Sequence, residues 1–186
     1  MRLLTAPGLR LEPLVAAHAH EMYPVLADPA LYEFENAPPP SEAWLLERYQ
    51  RLERRGPADG SEQWLNWVIR LPTQALAGYV QASVLPGGLA LIGYELHSRH
   101  WRQGIATRAV GAMLAELAGA YGVRQPLAVL KAANFRSLGL LLKLGFTPAG
   151  EALTLRYRGE ADEIVLLKPW AGAAGPTQPR AGARWA

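Results

Sequence analysis

The chain has 186 residues, half of them hydrophobic, with 19 Lys and Arg against 16 Asp and Glu, a formal net charge of +3 and no cysteine. That length suits one full-sized domain with a real core, and the modest charge content separates it from disordered chains. The missing cysteines exclude disulfides, thiolate metal sites and cysteine nucleophiles. The basic excess is too small and dispersed for nucleic acid, and no stretch has the length of a membrane span or the pattern of a signal peptide, so a cytoplasmic protein without nucleic-acid or membrane partners is expected.

Gly8 to Pro13 alternates, with Leu9 and Leu11 on one face and Arg10 and Glu12 on the other, as in a short half-buried strand. Ala16 to Leu26 places Ala17, Met22 and Leu26 near helical spacing and stops at Asp28-Pro29. His18 and His20 point away from each other on such a helix, so a solvated surface is expected for them rather than a metal. After the prolines Pro38 to Pro40, Ser41 is placed to cap a helix whose buried side would be Trp44, Leu45, Leu52 and Tyr49. The loop before it carries Tyr32, Phe34, Glu33 and Glu35; it either shapes a pocket for an amine or merely connects two helices.

From Trp64 the period becomes two. Trp64 to Leu71, Leu76 to Val84 and Leu89 to Leu96 read as three strands with short connectors, an antiparallel meander. Thr107 to Tyr121 follows as a long amphipathic helix, Leu127 to Leu130 as a central strand, and Asn134 to Leu144 as a helix ended by Gly145. A final strand pair is expected around Glu151 to Arg158 and Glu163 to Leu167, turning at Arg158 to Glu160. Residues 171–186 are rich in Ala, Gly and Pro with almost nothing to bury, which predicts a flexible tail behind a single domain spanning residues 1–170.

The join from Glu95 to Ala109, ELHSRHWRQGIATRA, links a strand to a long helix through Gly104, with Arg99 and Arg102 beside it. The first turn of a helix leaves backbone N–H groups without intrahelical acceptors at the positive end of the macrodipole, so a phosphate can dock there. Gly104 leaves room for it, although an ordinary strand-to-helix turn also accounts for a lone glycine.

Four pieces acquire meaning together: IGYEL at Ile92 to Leu96, WRQGIAT at Trp101 to Thr107, N-x-x-S at Asn134 to Ser137, and LLKLGF at Leu141 to Phe146. In this order and spacing the chain resembles the GNAT superfamily of N-acetyltransferases, and within it the Rim-type enzymes that acetylate ribosomal-protein N-termini. The superfamily usually has Gln or Arg where Trp101 stands and glycine where Ala106 stands; Trp is common there in the Rim-type branch. The resemblance implies an α+β fold, a mixed and mostly antiparallel central sheet flanked by helices, with central strands splayed into a cofactor cleft. It implies acetyl-coenzyme A as acyl donor, a primary amine as acceptor (a protein N-terminus or a small molecule), no metal, and a monomer or homodimer.

Carried over by position, main-chain donors of Gln103, Gly104, Ile105, Ala106 and Thr107 would hold the pyrophosphate, with Arg102 or Arg99 assisting or simply exposed. The pantetheine arm would run between Glu95 to His97 and Leu130 to Ala132, with Asn134 in contact, and the N–H of Leu96 or His97 would face the thioester oxygen. Glu95 is the candidate base and Ser137 the candidate proton donor, with Tyr94 and His97 as lesser candidates. Glu95 also reads as a solvated carboxylate, Asn134 as a helix cap and Ser137 as a surface hydroxyl. Loop carboxylates Glu33, Glu35 and Asp162 either attract a cationic amine or are ordinary loop charges. A catalytically silent acyl-coenzyme A-binding sensor of the same fold is the alternative function, while the absence of G-x-x-x-x-G-K-[ST] excludes a P-loop protein.

Overall fold

The alternating stretches pair into one sheet. A computed structural model describes residues 1–34 and 37–170, so Glu35 and the expected tail at 171–186 lie outside the described residues. In chain order the strands are β1 (Leu4–Ala6), β2 (Leu9–Pro13), β3 (Gln63–Arg70), β4 (Leu76–Leu85), β5 (Leu89–Leu96), β6 (Gln125–Lys131), β7 (Thr147–Pro148) and β8 (Glu163–Leu167). The helices are α1 (Ala19–Leu26), α2 (Glu42–Leu52), α3 (Ile105–Tyr121), α4 (Phe135–Lys143) and α5 (Glu151–Tyr157). The sheet order is β1-β2-β3-β4-β5-β6-β8-β7. Every neighbouring pair is antiparallel except β5 and β6, which the crossover helix α3 makes parallel.

This is the mixed, mostly antiparallel sheet flanked by helices that the sequence predicts. β5 and β6 pair only from Leu89 to Leu91 against Gln125 to Leu127, and their distal ends diverge. On one face, α3 buries Ile105, Ala109, Val110, Met113 and Leu117 against Trp67, Val80 and Ile92, and Leu141 of α4 joins that cluster. On the other, α1 and α2 bury Met22, Val25, Leu45 and Tyr49 against Val68 and Leu76. No helix among the described residues is long and apolar enough to cross a membrane.

One strand has no counterpart in the sequence reading, and three expectations need correction. Residues 4–6 form a strand, too short to show a period, turning at Gly8 into β2. The stretch Glu151 to Tyr157 is helix α5, not a strand, and β8 pairs instead with the two-residue β7. Trp44 is 43% exposed, while Leu45 and Tyr49 carry the buried face of α2. His18 is half-buried, its Nδ1 accepting from the Val15 N–H at 3.2 Å, whereas His20 is exposed beside Glu42.

Candidate active site

β5 ends at Leu96, and the chain passes through a 3-10 turn (Ser98–His100) to Gly104, the N-cap of α3. Arg102 and Gly104 both have left-handed backbone, φ 62° and 72°, so the chain curls before the helix starts. The carbonyl of Gly104 accepts from the Arg108 N–H at 3.1 Å, and that of Gln103 accepts from Arg108 Nη1 at 3.3 Å. The N–H groups of Ile105, Ala106 and Thr107 fall in the first turn, where helix geometry supplies no acceptor. Arg108 Nε is buried with no hydrogen-bond partner, directly behind this turn. A Cβ at Gly104 would lie 3.1 Å from Arg108 Nη1.

Trp101 fastens the join from behind. Its indole N–H donates to the Leu96 carbonyl at 2.6 Å, and the Arg136 guanidinium of α4 lies 4.4 Å from its ring centroid. Arg136 also lies over Phe34 and binds the Glu33 carboxylate, so Glu33 is engaged in a tie across the open end of the cleft. Asp162 is likewise engaged, with Lys131. Arg102 is exposed, and Arg99 Nε donates to His100 Nε2 at 3.0 Å.

The two expected oxyanion donors differ. The His97 N–H already donates to the Ala77 carbonyl at 2.9 Å, and its imidazole Nδ1 lies 3.1 Å from Asp28 Oδ2. In an antiparallel ladder successive N–H groups point to opposite sides, so the Leu96 N–H faces away from β4 and toward the splay.

A cavity of about 500 Å³ runs from beneath α1 and α2 to α4 at this splay. Glu95 lines it from the α1 and α2 side, among Tyr32, Tyr49 and Tyr79. Burial pushes all three phenols up, and the charge of Glu95 adds to the shift. Strand alternation turns Tyr94 to the opposite face, where its hydroxyl lies 2.6 Å from Ser137 Oγ. Burial pushes Tyr94 up to about 12, against the hydrogen bond from Ser137, which lowers it. Asn134 caps α4, its Oδ1 accepting from the Ser137 N–H at 3.1 Å, and also lines the cavity. Two chemistries, a carboxylate and a hydroxyl pair, thus approach one opening from opposite faces of the sheet.

The family model for the acetyltransferase (GNAT) domain matches residues 8–147. The chain belongs to the GNAT acetyltransferase family. A search of curated protein sequences finds no significant match. Among solved structures, a ribosomal-protein-S5-alanine acetyltransferase from Vibrio fischeri superposes with a TM-score of 0.74 at 19% identity, covering 91% of this chain and 97% of that one. A ribosomal L7/L12 alpha-N-protein acetyltransferase in complex with coenzyme A gives 0.75 at 17% identity, covering 90% and 98%. An acetyltransferase of the GNAT family from Bacillus anthracis gives 0.72 at 14%, covering 90% and 98%. The fold likeness therefore includes Rim-type structures.

The residues singled out in the sequence fall in two places: Gln103 to Thr107 form the curl and first turn of α3, and Tyr94, Glu95, Asn134 and Ser137 line the cavity at the splay. Sequence reading did not single out Arg108, Arg48 or Tyr79, and it named Tyr32 and Tyr49 without joining them to Glu95. Helical spacing marks Tyr49 as buried, but which strand it meets depends on the folded arrangement.

Proposed function

We propose that this GNAT protein is an acetyl-coenzyme A-dependent N-acetyltransferase that moves an acetyl group to a primary amine by direct transfer. The reading rests on the cavity at the splay, which brings Glu95 and the Tyr94–Ser137 pair to one opening. The curled first turn of α3 fits a pyrophosphate, with main-chain donors of Gln103 to Thr107 around it and Arg108 behind. The unpaired edges of β5 and β6 fit an extended pantetheine arm. When bound, the thioester supplies the acetyl group.

Glu95 holds the acceptor's ammonium and takes its proton, directly or through a water, which frees the nitrogen to attack. The Leu96 N–H stabilises negative charge on the carbonyl oxygen. Tyr94, neutral at physiological pH, would donate a proton from the α4 face to the departing sulfur, with Ser137 Oγ orienting or relaying it, and the second proton that the nitrogen gives up on forming the amide would return to the tyrosine through solvent. Asn134 fixes the start of α4 and so the position of Ser137.

The test is acetyl-coenzyme A binding followed by thiol release with an amine panel. A ligand at about a hundred times its Kd stabilises the fold by roughly 2.7 kcal/mol. Gly104→Glu, which places a carboxylate at the phosphate cradle, is expected to abolish that stabilisation, and Glu95→Gln to retain it while cutting turnover by about 10²-fold or more. Undiminished binding by the Gly104 variant would refute the cofactor site. Full binding with no turnover across the panel would instead assign the silent acyl-coenzyme A-binding role.

A further inference from the structure

Among the described residues lining the cavity, Glu95 is the single carboxylate and Arg48 the single cation. Arg48 stands on α2, half-buried, with its guanidinium 5.6 Å from the Trp44 ring centroid. It makes no ion pair with any described residue. An exposed arginine needs no partner, but a half-buried one has given up part of its hydration without a counter-charge in return. Arg48 lines the same cavity as Tyr49 and Tyr79, so its side chain stands on the cavity side of the helix. The adjacent Tyr49 is only 3% exposed, and its hydroxyl has no hydrogen-bond partner. A donor fork and an idle hydroxyl therefore share the half of the cavity that Glu95 faces, which is the arrangement that receives an anion.

We propose that the acceptor is a small zwitterion, an amine that also carries a carboxylate or a phosphate-like group, with its ammonium at Glu95 and its anion at Arg48, the Tyr49 hydroxyl donating to the same anion. This rests on Glu95 facing the acceptor amine, as proposed above. Leu14, Leu26, Leu45 and Leu52 line the same cavity and offer an apolar substituent a surface to pack on. Simple alkylamines and polyamines leave Arg48 without a partner.

Acetyl transfer with matched acceptor pairs tests it: leucine against leucinamide, and 2-aminoethylphosphonate against propylamine, with a short neutral peptide as a fifth acceptor. The anionic member of at least one pair is expected to have a kcat/KM at least about tenfold above its neutral partner, and the pair that shows it identifies carboxylate or phosphonate. In Arg48→Gln the KM of that anionic member should rise about 10–100-fold while the neutral member changes less than about twofold. Arg48→Lys should recover part of the loss. Preference for the neutral member in both pairs, equal loss for both members in Arg48→Gln, or acetylation of the peptide alone overturns this inference and leaves the acetyltransferase reading standing. Cofactor binding with no thiol release from any acceptor overturns both.

Discussion

Gly78 of β4 lies opposite Leu96 of β5 with φ 158°, a backbone conformation that turns a side chain toward the neighbouring strand. A Cβ there would lie 2.0 Å from the Glu95 carbonyl oxygen and 2.8 Å from Leu96 Cα. Both neighbours are backbone, so no rotamer change relieves the clash, and the strands must part at the residues proposed to hold the amine and the thioester oxygen. Gly78→Ala is therefore expected to cost about 1–3 kcal/mol of stability, a fall in Tm of roughly 2–12 °C for a domain of this size. It should also lower kcat more than it changes the KM for acetyl-coenzyme A, because the pyrophosphate site proposed at α3 lies elsewhere. Thermal denaturation and steady-state kinetics on one preparation check both, and an unchanged kcat in a destabilised variant would separate Gly78 from the chemistry. Trp101 illustrates the same dependence of site on backbone: by donating to the Leu96 carbonyl at 2.6 Å it fixes the end of β5 beside that residue's N–H.

Helix α5 is the element where sequence pattern and structure part. Leu153, Leu155 and Tyr157 alternate as in a strand, yet Leu153 and Tyr157 pack together over Leu91, Leu127 and Val165 while Leu155 is 67% exposed. The contacts follow a spacing of four, not two. Leu155→Asn is accordingly expected to change stability by less than about 0.5 kcal/mol, and Leu153→Ala to cost roughly 1–2 kcal/mol for a half-buried side chain. In a strand both would share a face and fall together, so urea unfolding of the two variants decides between the patterns. Seven residues hold fewer than two full turns, too few for either period to dominate. The meander from Gln63 to Leu96 and helix α3 were legible because their patterns run for several repeats, and β1 and β7 were not, because three and two residues contain none. The site divides in the same way. A glycine before an amphipathic helix announces the left-handed turn that opens α3 locally, whereas the approach of Arg48, Tyr49 and Glu95 joins α2 to β5 and exists only after folding.

Over the whole molecule, the sheet consists of two parts, β1 to β5 and β6 to β8, held side by side by a short parallel pairing and tied at the open end by Arg136. Substrates bound at the splay would touch both parts, so the condition of the entire fold, not the opening alone, sets the range in which the site is assembled. Acid is the informative stress. Burial lowers the pKa of His18 from its ordinary 6.5, only partly opposed by Glu12, and its Nδ1 accepts a main-chain N–H, a bond that the protonated ring loses. His100 is shifted in the same direction by burial and Arg99. Below pH 6.5 the unfolded chain takes up protons that the native rings resist, so this contribution to stability is complete above the ordinary value and declines as pH falls toward the lowered ones. Asp28 titrates later. Burial alone would raise it, but hydrogen bonds from Ser98 and Ala30 hold it below its ordinary 3.8. Glu21, bound by Arg70, is held below 4.5. Their stabilisation is present above the ordinary carboxylate values and is lost as pH falls through the depressed ones. Tm measured from pH 8 to pH 3 should therefore fall in two stages, one beginning near 6.5 and one below about 4. His18→Gln should flatten most of the first stage, leave the residue due to His100, and keep the second intact. Equal slopes for parent and variant between pH 6.5 and 5 would show that a group other than His18 governs the first loss.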